Sequence, residues 1–184
     1  MPRLPDLFPE KLDPEQRRVY DAILAGPRGV VPGPLRVWVN SPELAERAQA
    51  LGAFCRYNTV LPPRLSELAI ITIGAYWKAG YEWAVHAPIA QQAGLDPKVI
   101  EAIRTGKQPS FERSDEAAVH AFAHELLNNR KVSEATYRKA EGEIGSRALI
   151  DLVGILGYYG LICMTIVAFE VPVLKGATEP FLDT

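Results

Sequence analysis

Apolar residues recur at helical spacing along most of this chain, and no stretch sustains the strict alternation of a half-buried strand. Asp13-Pro14-Glu15 opens the first predicted helix, with Asp13 suited to the N-cap and Pro14 to the first helical position; Val19, Tyr20, Ile23 and Leu24 then form one apolar stripe before Gly26-Pro27 ends it. Ser41-Pro42-Glu43 opens another, which turns Leu44, Ala48, Leu51 and Phe54-Cys55 inward and closes at Arg56 and Tyr57. After the break Leu61-Pro62-Pro63, an apolar helix over about 64–78 carries Glu67. Ala79-Gly80 bends the chain into a helix over 81–93, where Pro88 removes the hydrogen bond to Ala84 and predicts a kink just beyond His86. Three more helices follow over 96–104, 114–129 with Ser114 as cap, and about 134–144 with Ser133 as cap.

The last predicted helix, 148–169, is the most apolar, and its final 18 residues carry no formal charge, which touches the lower limit for a membrane span. Gly154, Gly157 and Gly160 predict close approach by another backbone. Asp151, Tyr158, Tyr159 and Thr165 need polar partners, and no second span exists to supply them in lipid. A buried core or subunit-interface helix is therefore expected, not a membrane partner. Residues 28–39 combine Gly/Pro breaks with a short apolar run, and Val30-Val31 and 37–39 are too short to build a sheet. The expected fold is all-α, about seven or eight helices with short loops. Residues 1–12 read as a Pro-rich N-terminal arm and 13–184 as one helical domain.

Composition narrows the chemistry. Of 184 residues, 48% are hydrophobic and 23% charged, which suits one sizeable core. Twenty basic against 22 acidic residues give a formal charge of −2 with no dense basic run, so nucleic acid is not an expected partner. Cys55 and Cys163 stand far apart with no CxxC, and read as two free, buried thiols in a reducing, cytoplasmic setting. Three prolines and an Asp in the first nine residues interrupt any signal-peptide core, so secretion is not expected.

The candidate chemistry lies in 67–86. Glu82 and His86 stand four apart, so a helix sets them on one face as a carboxylate–imidazole pair, and Glu67 sits where an unpaired carboxylate is costly. A carboxylate partner raises a histidine's pKa and fixes its tautomer, whereas burial among Trp77, Tyr81 and Trp83 opposes the charge, leaving the sign of the shift open. Spacing alone also fits a satisfied polar pair in a core or interface. Arg28, Arg36 or Arg56 could bind a carboxylate, with Trp38 as a wall; surface arginines on a structural loop are the alternative, and for Arg56 a partner for its helix dipole. His120 and His124 share a helix face, yet without a third ligand they read as surface or half-buried histidines rather than a metal site.

Glu67, the segment Tyr81-Glu-Trp-Ala-Val-His86 and the apolar last helix together resemble the carboxymuconolactone decarboxylase and alkylhydroperoxidase-D-like family, over about residues 35–170 and best over 61–94. The resemblance implies an all-α homo-oligomer, a trimer or hexamer. In the peroxidase branch a Glu, a CxxC and a His form a thiol relay; Glu67 and His86 fall at the Glu and His positions, but Ala79 and Glu82 stand where the cysteines belong. Neither residue forms a disulfide, so that relay is disfavoured. The decarboxylase branch lacks the CxxC and keeps a Glu four before the His, as Glu82 and His86 do. It implies loss of CO2 from a carboxylated unsaturated lactone without a cofactor or metal.

The resulting expectation is a small-molecule enzyme with His86 as general acid/base, Glu82 orienting it and Glu67 tuning or sharing its proton. Arg28, Arg36, Trp38, Arg56 and Trp83 are the candidate substrate-binding residues. An oligomeric protein that only binds a small aromatic or lactone ligand between the tryptophans is the alternative.

Overall fold

The computed structural model describes residues 2–5 and 7–182. Among these residues the regular structure is entirely helical: a short 3-10 turn at Pro9–Lys11, then α1 (Pro14–Ala25), α2 (Gly33–Val39), α3 (Pro42–Tyr57), α4 (Pro63–Tyr76), α5 (Gly80–Gln92), α6 (Pro97–Arg104), α7 (Ser114–Asn129) and α8 (Glu134–Phe169). The start of α1 follows from local chemistry. Asp13 Oδ1 accepts from Gln16 N at 2.9 Å and Gln16 Oε1 accepts from Asp13 N at 3.1 Å, a reciprocal capping box that satisfies two otherwise orphaned donors.

The centre of the molecule is α4. Every residue from 65 to 74 is buried, as an all-round apolar helix requires, and α5, α7 and α8 pack around it. Arg64 at its start pairs with Asp115 at 2.7 Å and with Glu116, joining α4 to α7. Residues 77–79 are the whole connection to α5; Lys78 adopts φ 48° and Ala79 N donates to Gly74 O at 2.9 Å. That tight turn folds α5 back along α4, so Glu67 and His86 face each other.

The two predicted helices 134–144 and 148–169 are limbs of one element, α8, broken at Gly145 with φ 79° and ψ 158°. The second limb buries Leu152, Ile155, Tyr159, Ile162 and Ile166 and exposes Ile150, Val153, Met164 and Val167. By length and composition α8 could cross a membrane, and 56% of its apolar window is buried inside the protein. Its glycines behave differently from one another: a Cβ at Gly160 would lie 3.4 Å from Ile73 Cδ1, whereas Gly154 and Gly157 have nothing within 4 Å. A neighbour comes close at Gly160 only, and it is the Ile73 side chain rather than another backbone.

Other expectations change in detail. Gly33–Val39 is helical, because Pro34 begins a turn whose Leu35, Trp38 and Val39 bury on one side. Ser114 is the first helical residue rather than the cap, and its hydroxyl donates to Glu143 at 2.9 Å. Pro88 lies inside α5, which continues to Gln92, so no break follows His86, and Pro88 itself is exposed. The arm is tied down by Arg3 N to Phe169 O at 3.0 Å and Arg36 Nη2 to Leu7 O at 2.9 Å.

Gly145 occupies a region that is nearly glycine-only, with nothing within 4 Å of an added Cβ. Gly145→Ala is therefore expected to cost about 1–3 kcal/mol through backbone strain alone, measured by chemical denaturation, with the His86 site unchanged.

Candidate active site

His86 on α5 is 1% exposed and sits between two carboxylates. Its Nδ1 lies 2.6 Å from Glu67 Oε2 on α4, and its Nε2 lies 3.0 Å from Glu82 Oε1 one turn earlier on α5. Both carboxylates are themselves buried. Burial, the largest single influence on His86, favours its neutral form; the Glu82 charge and the hydrogen bonds to Glu67 and Glu82 together outweigh it and raise the pKa to about 9. The open sign is thus resolved upward. At neutral pH the ring is an imidazolium whose two N–H groups each donate to a carboxylate.

The other walls come from distant parts of the chain. Tyr159 on α8 sets its ring edge-on to His86 at 5.2 Å, Tyr158 stacks edge-on to Tyr159 at 5.2 Å, and Trp38 backs Tyr158 at 6.1 Å. Arg56 in the last turn of α3 brings Nη1 to 3.5 Å from His86 Nε2; with both groups protonated this is a contact between cations. Arg28, from the loop after α1, completes the lining with Tyr81, Pro32 and Glu82 of a cavity of about 50 Å³. Neither Arg28 nor Arg56 forms an ion pair with any described residue. Two negative and three positive groups leave this site one net positive charge.

The polar groups of α8 sort themselves. Asp151 Oδ2 accepts from Val60 N at 3.0 Å, and Thr165 Oγ1 accepts from Trp38 Nε1 at 2.8 Å. Tyr158 Oη is the exception, buried with no hydrogen-bond partner at the cavity wall. It fits only because residue 52 is glycine: a Cβ there would lie 2.1 Å from Tyr158 Oη and 2.7 Å from Arg28 Nη2. A buried hydroxyl left open beside two unpaired guanidinium groups is an arrangement for an oxyanion.

Of the residues singled out in the sequence, Glu67, Glu82, His86, Arg28 and Arg56 converge, although Glu67 lies behind the ring and does not line the cavity. Three do not join them. Arg36 points away to the arm carbonyl of Leu7, on the far side of Tyr81. Trp38 is a core residue whose indole N–H is spent on Thr165. Trp83 does not line the cavity; it packs edge-on to Phe181 at 5.4 Å. Tyr158 and Tyr159 were missed as site residues; the signal for them was hydroxyl groups inside the most apolar helix.

Burial raises the Cys55 thiol to about 11 and Cys163 further still, which suppresses thiolate chemistry at both. His120 and His124 stack at 5.8 Å, and burial lowers His120 to about 4. Among the described residues no three potential ligands cluster closely enough to hold a metal ion.

Fold and site define a class: an all-helical protein with a buried carboxylate–imidazole–carboxylate triad beneath a small cationic cavity. Residues 42–123 match the sequence profile of the Carboxymuconolactone decarboxylase family. The fold is shared with an uncharacterized peroxidase-related protein of the alkylhydroperoxidase AhpD core from Ralstonia eutropha (17% identity, 98% of this chain and 95% of that one, TM-score 0.77). It is shared also with an uncharacterized peroxidase-related protein from Silicibacter sp. (15%, 93% and 91%, 0.73) and with a debrominase in its apo form (17%, 95% and 92%, 0.70). No curated protein matches the sequence. The profile match covers 82 of the 184 residues, and the likeness to solved structures is one of fold.

Because His86 is held above its unfolded value of 6.5, its pairing stabilises the fold fully below that pH and is lost as pH rises through about 9. Glu82→Gln removes the charge that raises His86 most and is expected to lower the His86 pKa measured by NMR titration and to flatten this alkaline loss of stability. An unchanged His86 titration would contradict the assignment of Glu82 as the charge that holds it protonated.

Proposed function

We propose that this protein is a cofactor-independent acid/base enzyme of the decarboxylase type, acting on a small carboxylated lactone or aromatic-derived metabolite. The observation that carries the reading is the meeting of a buried imidazolium with two guanidinium groups that have no carboxylate partner, around one small cavity. A cation pair without a counter-ion is a ready binding site for an anion. In this reading Arg28 and Arg56 hold the carboxylated end of the substrate. The carbon–carbon bond to the carboxylate breaks, CO2 leaves, and the electron pair passes into the conjugated lactone carbonyl as an enolate stabilised by the same positive field. His86 then gives its Nε2 proton to carbon and regains one from water. With a pKa near 9 it is charged and able to donate at neutral pH. Glu82 orients the ring from the cavity side and Glu67 from behind.

Peroxide reduction by a thiol relay finds no support in the residues, since Ala79 and Glu82 occupy the relay's cysteine positions and both thiols are buried. Assembly into a homo-oligomer, a trimer or hexamer, is part of the proposal. The exposed stripe Ile150, Val153, Met164 and Val167 on α8 supports it.

A panel of carboxylated unsaturated lactones and related acids tests the reading by CO2 release. His86→Gln is expected to lower kcat by about 10²–10⁴-fold while acid binding persists. The wild-type rate is expected to fall as pH rises through about 9, where the donor loses its proton. Binding of acids with no turnover of any of them would instead favour a non-catalytic binding protein. A Cys55→Ala/Cys163→Ala double variant is expected to leave any peroxide reduction unchanged; its loss would restore the thiol alternative.

A further inference from the structure

We propose that the substrate is an amphipathic acid: its charged head enters the His86 cavity, and its apolar body lies in a groove on the other side of Tyr81. This rests on the reading that the cavity receives the substrate's anionic end. The cavity of about 50 Å³ has room for roughly three to five waters. A carboxylate fits there, but a substituted ring does not, so the rest of any substrate must lie elsewhere. A groove of about 510 Å³, within the range of small-molecule sites, adjoins it. Pro32 and Tyr81 belong to the walls of both spaces. They form the partition.

The groove suits a hydrocarbon body. Leu4 and Leu7 of the arm, Val30, Val31 and Val37 around α2, and Val171 after α8 supply its apolar lining. Its charged groups do not oppose this: Arg36 donates to the Leu7 carbonyl, and Lys175 is exposed. The Tyr81 ring is packed in the core, and its phenol makes one hydrogen bond among the described residues, Gly33 N donating to Tyr81 Oη at 3.1 Å. The fit around that bond depends on Gly33, where a Cβ would lie 2.9 Å from Val171 Cγ1 and 3.0 Å from Tyr81 Cε2. Displacing the ring would join the cationic cavity to the apolar groove, and a molecule with a carboxylate at one end and a chain or ring at the other spans the two.

The probes are straight-chain carboxylates from acetate to octanoate, followed by calorimetry and by the NMR signals of the His86 ring. In wild type, affinity is expected to rise by about fourfold per added methylene, with the His86 signals moving at every chain length. Val37→Trp, which fills the groove, is expected to abolish the chain-length gain and leave acetate binding unchanged. Should that variant not fold, Val30→Trp on a loop where Val30 is 58% exposed makes the same comparison. Acids that move the His86 signals without gaining affinity with length, or that gain it equally in the filled variants, would overturn the inference and leave the head site intact. Acids of every length leaving His86 unmoved would overturn the head site itself, and the inference with it.

Discussion

A charged imidazole buried between two carboxylates is the constraint on which the rest of this structure depends. None of the three groups is tolerable alone in an apolar interior, and removing one partner of such a pair typically costs about 3–5 kcal/mol because a buried charge is left uncompensated. Glu67 and His86 come from different helices, so the interaction fixes how α4 and α5 lie against each other. The three-residue turn at 77–79 makes that register reachable, and Tyr159 of α8 closes the ring off from water. The full burial of α4 is then part of the site's chemistry as well as of the core.

The electrostatics of the cavity follow from that pairing. Two carboxylates hold His86 protonated, yet they do not neutralise Arg28 and Arg56. The excess positive charge lies beside a buried, unpartnered Tyr158 hydroxyl, in surroundings where charge interactions are stronger than in water. An anionic ligand would balance the charge and satisfy the hydroxyl together. The small cavity and the larger groove are separate spaces, with Tyr81 and Pro32 between them.

Likeness of fold does not by itself carry likeness of chemistry. Structures with 15–17% identity share the helical arrangement over more than nine-tenths of the chain, among them proteins called peroxidase-related and a debrominase. A helical scaffold survives such divergence because packing needs apolar residues of suitable volume, whereas a reaction needs particular atoms. Glu82 stands where the resemblance implies a relay cysteine, so the atom next to His86 is oxygen rather than sulfur. At this position the chain has a second carboxylate that holds the imidazole charged.

The helical periodicity, the capping signals at Asp13, Asp96 and Ser133, and the spacing of Glu82 and His86 are local facts, and reading them along the chain was enough for the all-α class and the core of the site. Glu67 was legible for a similar reason, since a carboxylate in an apolar helix demands a partner. Arg36, Trp38 and Trp83 looked equivalent to Arg28 and Arg56 because residue type does not reveal which way a side chain faces. Trp38 and Trp83 were taken by the core and Arg36 by the arm, while Gly52 let Tyr158 and Arg28 reach the cavity. The chain by itself determined which elements form and that an imidazole and two carboxylates must be satisfied inside. Only the tertiary structure decided which arginines stay unpaired, which tyrosines wall the site and whether His86 is charged, because each depends on distances between residues far apart in sequence.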